Sequence, residues 1–107
     1  MKTLKFENKL AELILGGKKD MTWRFFDDKD LQNGDELILI NRGTGDEFAR
    51  AKIIKIREKE FKNVDEADFG GHEKYNDNDE MFKTYKGYYG DKLTWETPVK
   101  IIKFVLI

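Results

Sequence analysis

The residues with the greatest potential for chemistry lie together in one short segment, residues 18–24, which reads KKDMTWR. If this segment runs into a strand, side chains alternate, so that Thr22 and Arg24 share one face. An arginine placed between Trp23 and Phe25 must face something polar, and its planar fork suits an anion or the carbonyl of a nucleobase. The segment therefore predicts a polar binding face built on Thr22 and Arg24.

Two lysines, Lys18 and Lys19, directly precede this face. Their simplest interpretation is a solvated helix end, because cations near the C-terminus of a helix offset its dipole. In a regular strand, residues 19 and 22 face opposite sides. Lys19 and Thr22 therefore share a site only if Lys19 lies in the connection and the strand begins near Asp20 or Met21.

The elements before this segment fit such an arrangement. Apolar residues recur at helical spacing from Leu10 to Ile14, so a helix is expected to begin near Glu7 or Asn8. Gly16 and Gly17 are expected to end it with a left-handed cap. The glycines thus predict where the helix stops and where the two lysines begin.

Period-two alternation and continuous apolar runs predict strands at residues 2–6, 36–41, 48–57 and 99–107, besides the one that begins at Met21. Inside residues 48–57 the apolar parity switches between Ile53 and Ile54, which predicts a bulge that bends the sheet. The last strand is too apolar to lie on an exposed edge.

Between the last two strands, the sequence predicts a short helix, a loop and a second helix. Asp77 followed by Glu80 resembles a capping box at the start of a helix, and Met81, Phe82 and Tyr85 form an apolar stripe after it. The expected fold class is α+β, a small, mostly antiparallel β-barrel of five to six strands with two or three packed helices.

Composition limits the classes of function. The chain has 107 residues, no cysteine and a net charge of −1, which excludes thiolate metal sites and cysteine nucleophiles. The near-neutral net charge disfavours binding to nucleic acid through contacts with many phosphate groups. Charged residues interrupt the N-terminal apolar positions and no run is long enough to span a bilayer, so we expect a cytoplasmic protein with no membrane partner. The single histidine, His72, has no metal-ligand spacing around it, so no metal is expected.

Residues 14–40, ILGGKKDMTWRFFDDKDLQNGDELILI, resemble the signature of the ASCH superfamily, whose members are small PUA-like barrels. The matching residues are Gly17-Lys18-Lys19, Thr22, Arg24 and Gly34-Asp35. Residues 72–90, HEKYNDNDEMFKTYKGYYG, are similar to the second block of that family. The resemblance covers most of the chain and implies a single ASCH/PUA-like domain at residues 1–107.

Small single-domain members of this superfamily include amidohydrolases that remove the acetyl group from acetylcytidine with a lysine, a threonine and a glutamate. The resemblance implies that Lys19, Thr22 and Glu73 would have these catalytic roles. Glu73 is obtained by counting back from the YYG segment, with Glu66 and Glu80 as alternatives. The glutamate would protonate the departing amine of cytosine.

The implied chemistry places a demand on the lysine. A threonine hydroxyl is inert until a base takes its proton, and a lysine is a base only when neutral. Its ordinary pKa of about 10.4 must therefore fall by about 3. Lys18 and Arg24 would lower the pKa of Lys19, whereas Asp20, where the family often has threonine, would raise it.

The resemblance also implies the ligand. Lys18, Arg24, Phe26 and Tyr75 are the candidate substrate-binding residues, since cations and aromatic rings hold a nucleobase and its attached groups. The expected partner is a small-molecule nucleoside or single-stranded RNA, with no cofactor, and the oligomeric state stays open. Two alternatives remain: a non-catalytic PUA-like module that binds RNA or a nucleotide, and a ribonuclease that uses the same cleft.

Overall fold

The computed structural model describes residues 1–70 and 74–107. Its main elements are β1 (Lys2–Phe6), α1 (Asn8–Leu15), β2 (Met21–Phe25), β3 (Glu36–Asn41), β4 (Glu47–Glu60), α2 (Asn78–Tyr89) and β5 (Pro98–Leu106). Short 3-10 helices lie at Phe61–Asn63, Glu66–Phe69 and Gly90–Lys92.

Within these residues the strands form one mixed sheet in the order β1-β3-β4-β5-β2. β1 runs parallel to β3, and every other neighbouring pair is antiparallel. The sheet curls into a half-barrel, with β1 and β2 as its two edge strands. The predicted α+β class with mostly antiparallel strands is confirmed.

The predicted bulge is present in β4. The register against β5 shifts between Ile53, which pairs with Phe104, and Lys55, which pairs with Lys103. Ile54 lies between them and is 42% exposed, whereas Ile53 is fully buried. The extra residue shifts the alternation of β4, so that Ile53 before it and Ile56 after it both pack in the same core, and it adds bend and twist to the sheet.

Both faces of the sheet are covered. One face packs against α1 through Ile14 in what we call the first core, which also contains Ile102 and Phe104 of β5. The other face packs against α2 in the second core, to which β5 contributes Val99 and Ile101. β5 lies between β4 and β2 and is buried on both faces of the sheet. This agrees with the prediction that it is too apolar to be an edge strand.

Side chains from the other edge of the half-barrel cover the free edge of β1. Arg24 Nη2 donates a 3.0 Å hydrogen bond to the carbonyl oxygen of Lys5, and Lys29 Nζ donates to the carbonyl oxygen of Thr3. Thr3 and Lys5 are two residues apart on β1, so their carbonyl groups point to the same side of the strand, away from β3. Arg24 therefore bridges the gap between the two edge strands.

A buried carboxylate joins β2, β4 and the 3-10 helix Glu66–Phe69. The Asp68 side chain is fully buried; Arg57 Nη1 lies 2.7 Å from Oδ1 and Lys59 Nζ 2.8 Å from Oδ2. Oδ2 also accepts the Asp65 N–H, and the Asp68 carbonyl oxygen accepts the Trp23 indole N–H at 3.1 Å. Burial by itself raises the pKa of Asp68, but the hydrogen bonds from Lys59 and Asp65 and the charge of Arg57 lower it overall.

The end of α1 depends on a glycine. Gly17 has φ of 74°, and a Cβ added there would meet no atom within 4 Å. Gly17→Ala is therefore expected to lower the free energy of unfolding by about 1 kcal/mol through backbone strain alone. Gly87→Ala is the matched control, because Gly87 lies inside α2 without positive φ or close neighbours; there the same change should stabilise by about 0.5–1 kcal/mol. Denaturant unfolding of both variants measures this, and equal shifts of the same sign would contradict the assignment.

Candidate functional site

Lys19 lies in the connection between α1 and β2. The Leu13 carbonyl oxygen accepts the N–H groups of both Lys18 (2.9 Å) and Lys19 (3.2 Å), which turns the chain at the end of the helix. The Lys19 side chain is only 2% exposed, and Nζ donates a 2.7 Å hydrogen bond to the carbonyl oxygen of Met21. β2 begins at Met21, which meets the geometric condition for Lys19 and Thr22 to share a site.

The hydrogen bond to the Met21 carbonyl limits the distance between Lys19 Nζ and Thr22. The Met21 carbonyl belongs to the peptide group that joins Met21 to Thr22. Standard bond lengths then put Lys19 Nζ within about 7 Å of the Thr22 Cα atom. Thr22 is itself 4% exposed. Lys19 Nζ thus lies close to the backbone of Thr22 at the start of β2, although Lys19 is not among the residues that line the cleft beside Thr22.

The side chains of β2 alternate as the sequence predicts. Met21, Trp23 and Phe25 are buried in the second core. Thr22 and Arg24 lie on the opposite face and line a cleft. The interpretation of Trp23 as a core residue is confirmed.

This cleft has a volume of about 170 Å³ and is bounded by β1, α1, β2 and α2. Its aromatic lining comes from Tyr85, Tyr88 and Tyr89 of α2. Tyr88 is 45% exposed, so one wall of the cleft presents an accessible ring. The arrangement suits a flat ring that stacks on aromatic side chains while polar groups at Thr22 and Arg24 bind its edge.

Arg24 is held firmly within the cleft. Its guanidinium carbon lies 4.9 Å from the centre of the Phe6 ring, and Nη2 binds the Lys5 carbonyl. The Nε–H group is buried and has no hydrogen-bond acceptor among the described residues. Burial lowers the pKa of Arg24; the Tyr89 phenol opposes this effect, and the charge of Arg42 adds to it.

Sequence analysis missed Arg42. This residue directly follows β3, and its backbone N–H donates a 2.8 Å hydrogen bond to the Phe6 carbonyl at the end of β1. Its exposed side chain lines the same cleft as Arg24. Only the parallel pairing of β1 with β3 brings Arg42 there, and no local pattern in the sequence indicates that pairing.

The other predicted binding residues lie on the two sides of the cleft. Lys18 and Tyr75 line a groove of about 650 Å³ that shares Leu10 and Tyr88 with the cleft. The Tyr75 ring also packs against the second core. The candidate residues on this side therefore border the cleft without lining it.

On the opposite side, Phe26 lines a hollow of about 300 Å³ that shares Arg24, Arg42 and Tyr89 with the cleft. Phe26 has φ of 52° and is 42% exposed. The Lys92 ammonium lies 4.4 Å from the centre of its ring. Phe26 thus extends the aromatic surface beyond Arg24.

The predicted catalytic glutamate, Glu73, lies outside the described residues. Of the two alternatives, Glu66 is exposed in the 3-10 helix Glu66–Phe69. Glu80 lies in the first turn of α2, where Asp77 caps the helix as predicted. The Glu80 carboxylate accepts a 2.9 Å hydrogen bond from the Asn76 amide. Glu80 also lines the groove that holds Lys18.

Two features are absent from residues 1–70 and 74–107, a metal-binding cluster and a membrane-spanning helix. No group of three or more histidine, cysteine, aspartate or glutamate side chains in those ranges has an arrangement that could hold a metal ion. None of the helices described there combines the length and the apolar character that a membrane span requires.

No protein-family model matches the sequence, and no curated protein matches it. Solved structures do match the fold. The ASCH domain of Lactobacillus crispatus JV V101 superimposes with a TM-score of 0.75 at 12% identity, over 98% of this chain and 79% of that one. The ASCH protein of Zymomonas mobilis superimposes with a TM-score of 0.67 at 13% identity, over 96% of this chain and 65% of that one. The protein therefore has an ASCH-like fold.

A further structure extends this likeness over the full length of both chains. The hypothetical protein PH0355 superimposes with a TM-score of 0.77 at 25% identity and covers 100% of each chain. Its name states no activity, so the similarity concerns the fold.

Proposed function

We propose that this protein is a small ASCH-type amidohydrolase that removes the acetyl group from an acetylated pyrimidine nucleoside such as acetylcytidine, or from a related amide. The observation that carries this proposal is the buried Lys19 side chain, whose Nζ binds the carbonyl of Met21 beside Thr22. A lysine that only balanced a helix end would lie in solvent, as Lys18 does.

The proposed reaction uses the hydroxyl group of Thr22 as nucleophile. Thr22 Oγ attacks the acetyl carbon, and its proton passes to Lys19 Nζ. The bond from the acetyl carbon to N4 then breaks, and the amine leaves with a proton as cytidine. Water finally cleaves the acetyl-threonine ester, which releases acetate and restores the hydroxyl. By the family resemblance, Glu73 would donate the proton to the leaving amine.

The aromatic wall of the cleft supports a pyrimidine as the substrate. Tyr88 and Tyr89 offer rings on which a base can stack, and stacking tolerates an acetyl substituent at the edge of the ring. Arg24 Nη2 is engaged by Lys5, but its buried Nε–H still lacks an acceptor among the described residues. A base carbonyl or another acceptor on the substrate would satisfy that donor.

The test is hydrolysis of acetylcytidine, followed by chromatography of the cytidine released. The native protein is expected to release cytidine, and Lys19→Met and Thr22→Val should each reduce the rate by at least about 100-fold, the usual contribution of a general base or nucleophile. Both substitutions keep side-chain volume, so that the core stays filled. Thr22→Ser retains the hydroxyl and should keep measurable activity.

Two control variants carry the same substitutions at exposed positions, Thr44→Val in the turn after β3 and Lys52→Met on β4. Both are expected to retain native rates, and thermal melting of all variants verifies folding. If the native protein leaves acetylcytidine intact, the proposed activity is wrong. Release that persists in both Lys19→Met and Thr22→Val would mean that the reaction occurs elsewhere.

The second candidate is a module that binds RNA or a nucleotide without chemistry. One observation favours it: the cleft continues into hollows on both sides, so that Lys18, Tyr75, Arg24 and Phe26 border one extended surface. Intact acetylcytidine together with salt-sensitive binding of single-stranded RNA would favour this function. Cleavage of that RNA during the same incubation would instead favour the ribonuclease.

A further inference from the structure

Cations gather at the point where the cleft meets the hollow beside Phe26. Lys5, Arg24, Arg42 and Tyr89 line both spaces. In the part of the chain that the structure describes, no carboxylate lies within ion-pair distance of Arg24 or Arg42. Elsewhere in the described residues, some cations do have a partner, as Lys2 has in Asp35.

The nearby carboxylates do not neutralise this pair. Asp27 lines the hollow, but its side chain accepts hydrogen bonds from Lys100 Nζ (2.7 Å) and from the Leu31 N–H (2.8 Å). Glu7 lines the cleft and forms no ion pair with either arginine. Two guanidinium groups therefore share one concave surface, and no carboxylate of residues 1–70 or 74–107 forms an ion pair with either.

The geometry of Arg24 indicates a ligand. Its buried Nε–H has no acceptor among the described residues, and buried donors in proteins are almost always bonded. The stacking of the guanidinium on Phe6 and its bond to Lys5 fix the orientation of the fork. The charge of Arg42 acts on Arg24 at short enough range to lower its pKa. An anion between the two arginines would remove that repulsion.

We propose that Arg24 and Arg42 form a phosphate-binding subsite, so that the ligand of this cleft is a pyrimidine nucleotide and not an uncharged nucleoside. This inference rests on the proposed function for the nature of the base. A phosphate group has three acceptor oxygens on one phosphorus atom. This suits two guanidinium groups, one on β2 and one directly after β3. The tyrosines of α2 line the same cleft and leave room for the base beside the phosphate.

The test compares the binding of cytidine with that of cytidine 5′-monophosphate by calorimetric titration of the whole protein. The monophosphate is expected to bind at least about tenfold more tightly at low salt, as for a charge-assisted contact. The advantage should shrink as ionic strength rises. Arg42→Gln should remove the advantage, so that this variant binds the monophosphate no more tightly than it binds cytidine. Equal affinity for the two compounds, or no binding of either, would overturn the proposal.

Arg50→Gln is the matched control. Arg50 is exposed on β4 and pairs with Glu47 at 3.3 Å, outside the cleft, so its replacement changes the net charge by the same amount. It should retain the full preference for the monophosphate. If Arg50→Gln reduces the preference as much as Arg42→Gln does, the effect is one of general charge and the subsite is refuted.

Additional ligands distinguish the possible sources of the phosphate group. The hydrolysis assay distinguishes the phosphate-binding proposal from the amidohydrolase proposal. Cytidine 3′-monophosphate carries the phosphate as a monoester at another position, and the dinucleotide CpC carries it as a diester. Tightest binding of a monophosphate would identify a free nucleotide as the source of the phosphate. Tightest binding of CpC would identify RNA. Hydrolysis is assayed with acetylcytidine and with its 5′-monophosphate: a preference for the monophosphate without hydrolysis of either compound supports the subsite and refutes the amidohydrolase. Hydrolysis without that preference does the reverse.

Discussion

Asp68→Asn is expected to lower the free energy of unfolding by about 3–5 kcal/mol, the usual cost of removing one partner from a buried ion pair. The carboxylate is fully buried and neutralises both Arg57 and Lys59. Asparagine keeps the shape but leaves Arg57 without this counter-charge and Lys59 with only the more distant Asp65 carboxylate, at 3.9 Å. Urea unfolding at neutral pH measures the loss.

The same site predicts a dependence on pH. The pKa of Asp68 is lower in the folded state than its ordinary value, so its stabilising contribution is complete above about pH 4 and is lost as the pH falls through the folded pKa. The difference in stability between the native protein and Asp68→Asn should therefore narrow in acid. Glu66→Gln, an exposed position in the same 3-10 helix, serves as control and should change stability little. A difference that stays constant down to pH 2 would contradict the assignment.

Phe61→Ala is expected to lower the free energy of unfolding by about 3–5 kcal/mol, as for other large-to-small changes of aromatic core residues. Phe61 is fully buried, and its ring contacts the rings of five other residues in the second core: Trp23, Phe25, Phe82, Tyr85 and Trp95. The cavity left by the missing ring would loosen the packing of α2 against the sheet. Denaturant unfolding measures the change.

Phe26→Ala is the matched control for Phe61→Ala, because the same atoms are removed from a side chain that is 42% exposed. Its cost should remain below about 1 kcal/mol, as for surface substitutions. Similar losses for the two variants would show that the second core does not depend on Phe61.

Local patterns were sufficient to predict much of the fold. The helical spacing after Glu7, the parity switch at Ile53 and the cap at Asp77 each depend on residues close in sequence, and each was correctly predicted. The parallel pairing of β1 with β3 depends on segments more than thirty residues apart. Arg42 reaches the cleft through that pairing alone, so periodicity could not reveal it.

The candidate site was predictable in part for the same reason. The shared face of Thr22 and Arg24 follows from strand alternation. The contrast between Lys18, which is exposed, and Lys19, which is buried, depends on the turn that the Leu13 carbonyl stabilises. Adjacent lysines after a helix are normally solvated, so only the family resemblance distinguished them. The burial of Asp68 had no sequence signal, because its partners on β4 are ordinary surface residue types.

The covered edge of β1 also bears on how these molecules behave towards one another. A free strand edge offers carbonyl and N–H groups to which a strand of another molecule can add, and such addition starts aggregation. Arg24 and Lys29 occupy the Lys5 and Thr3 carbonyls, and their charges repel an approaching copy. An arginine that lines the cleft therefore also blocks intermolecular strand pairing, so that replacing Arg24 is expected to lower the resistance of the protein to self-association.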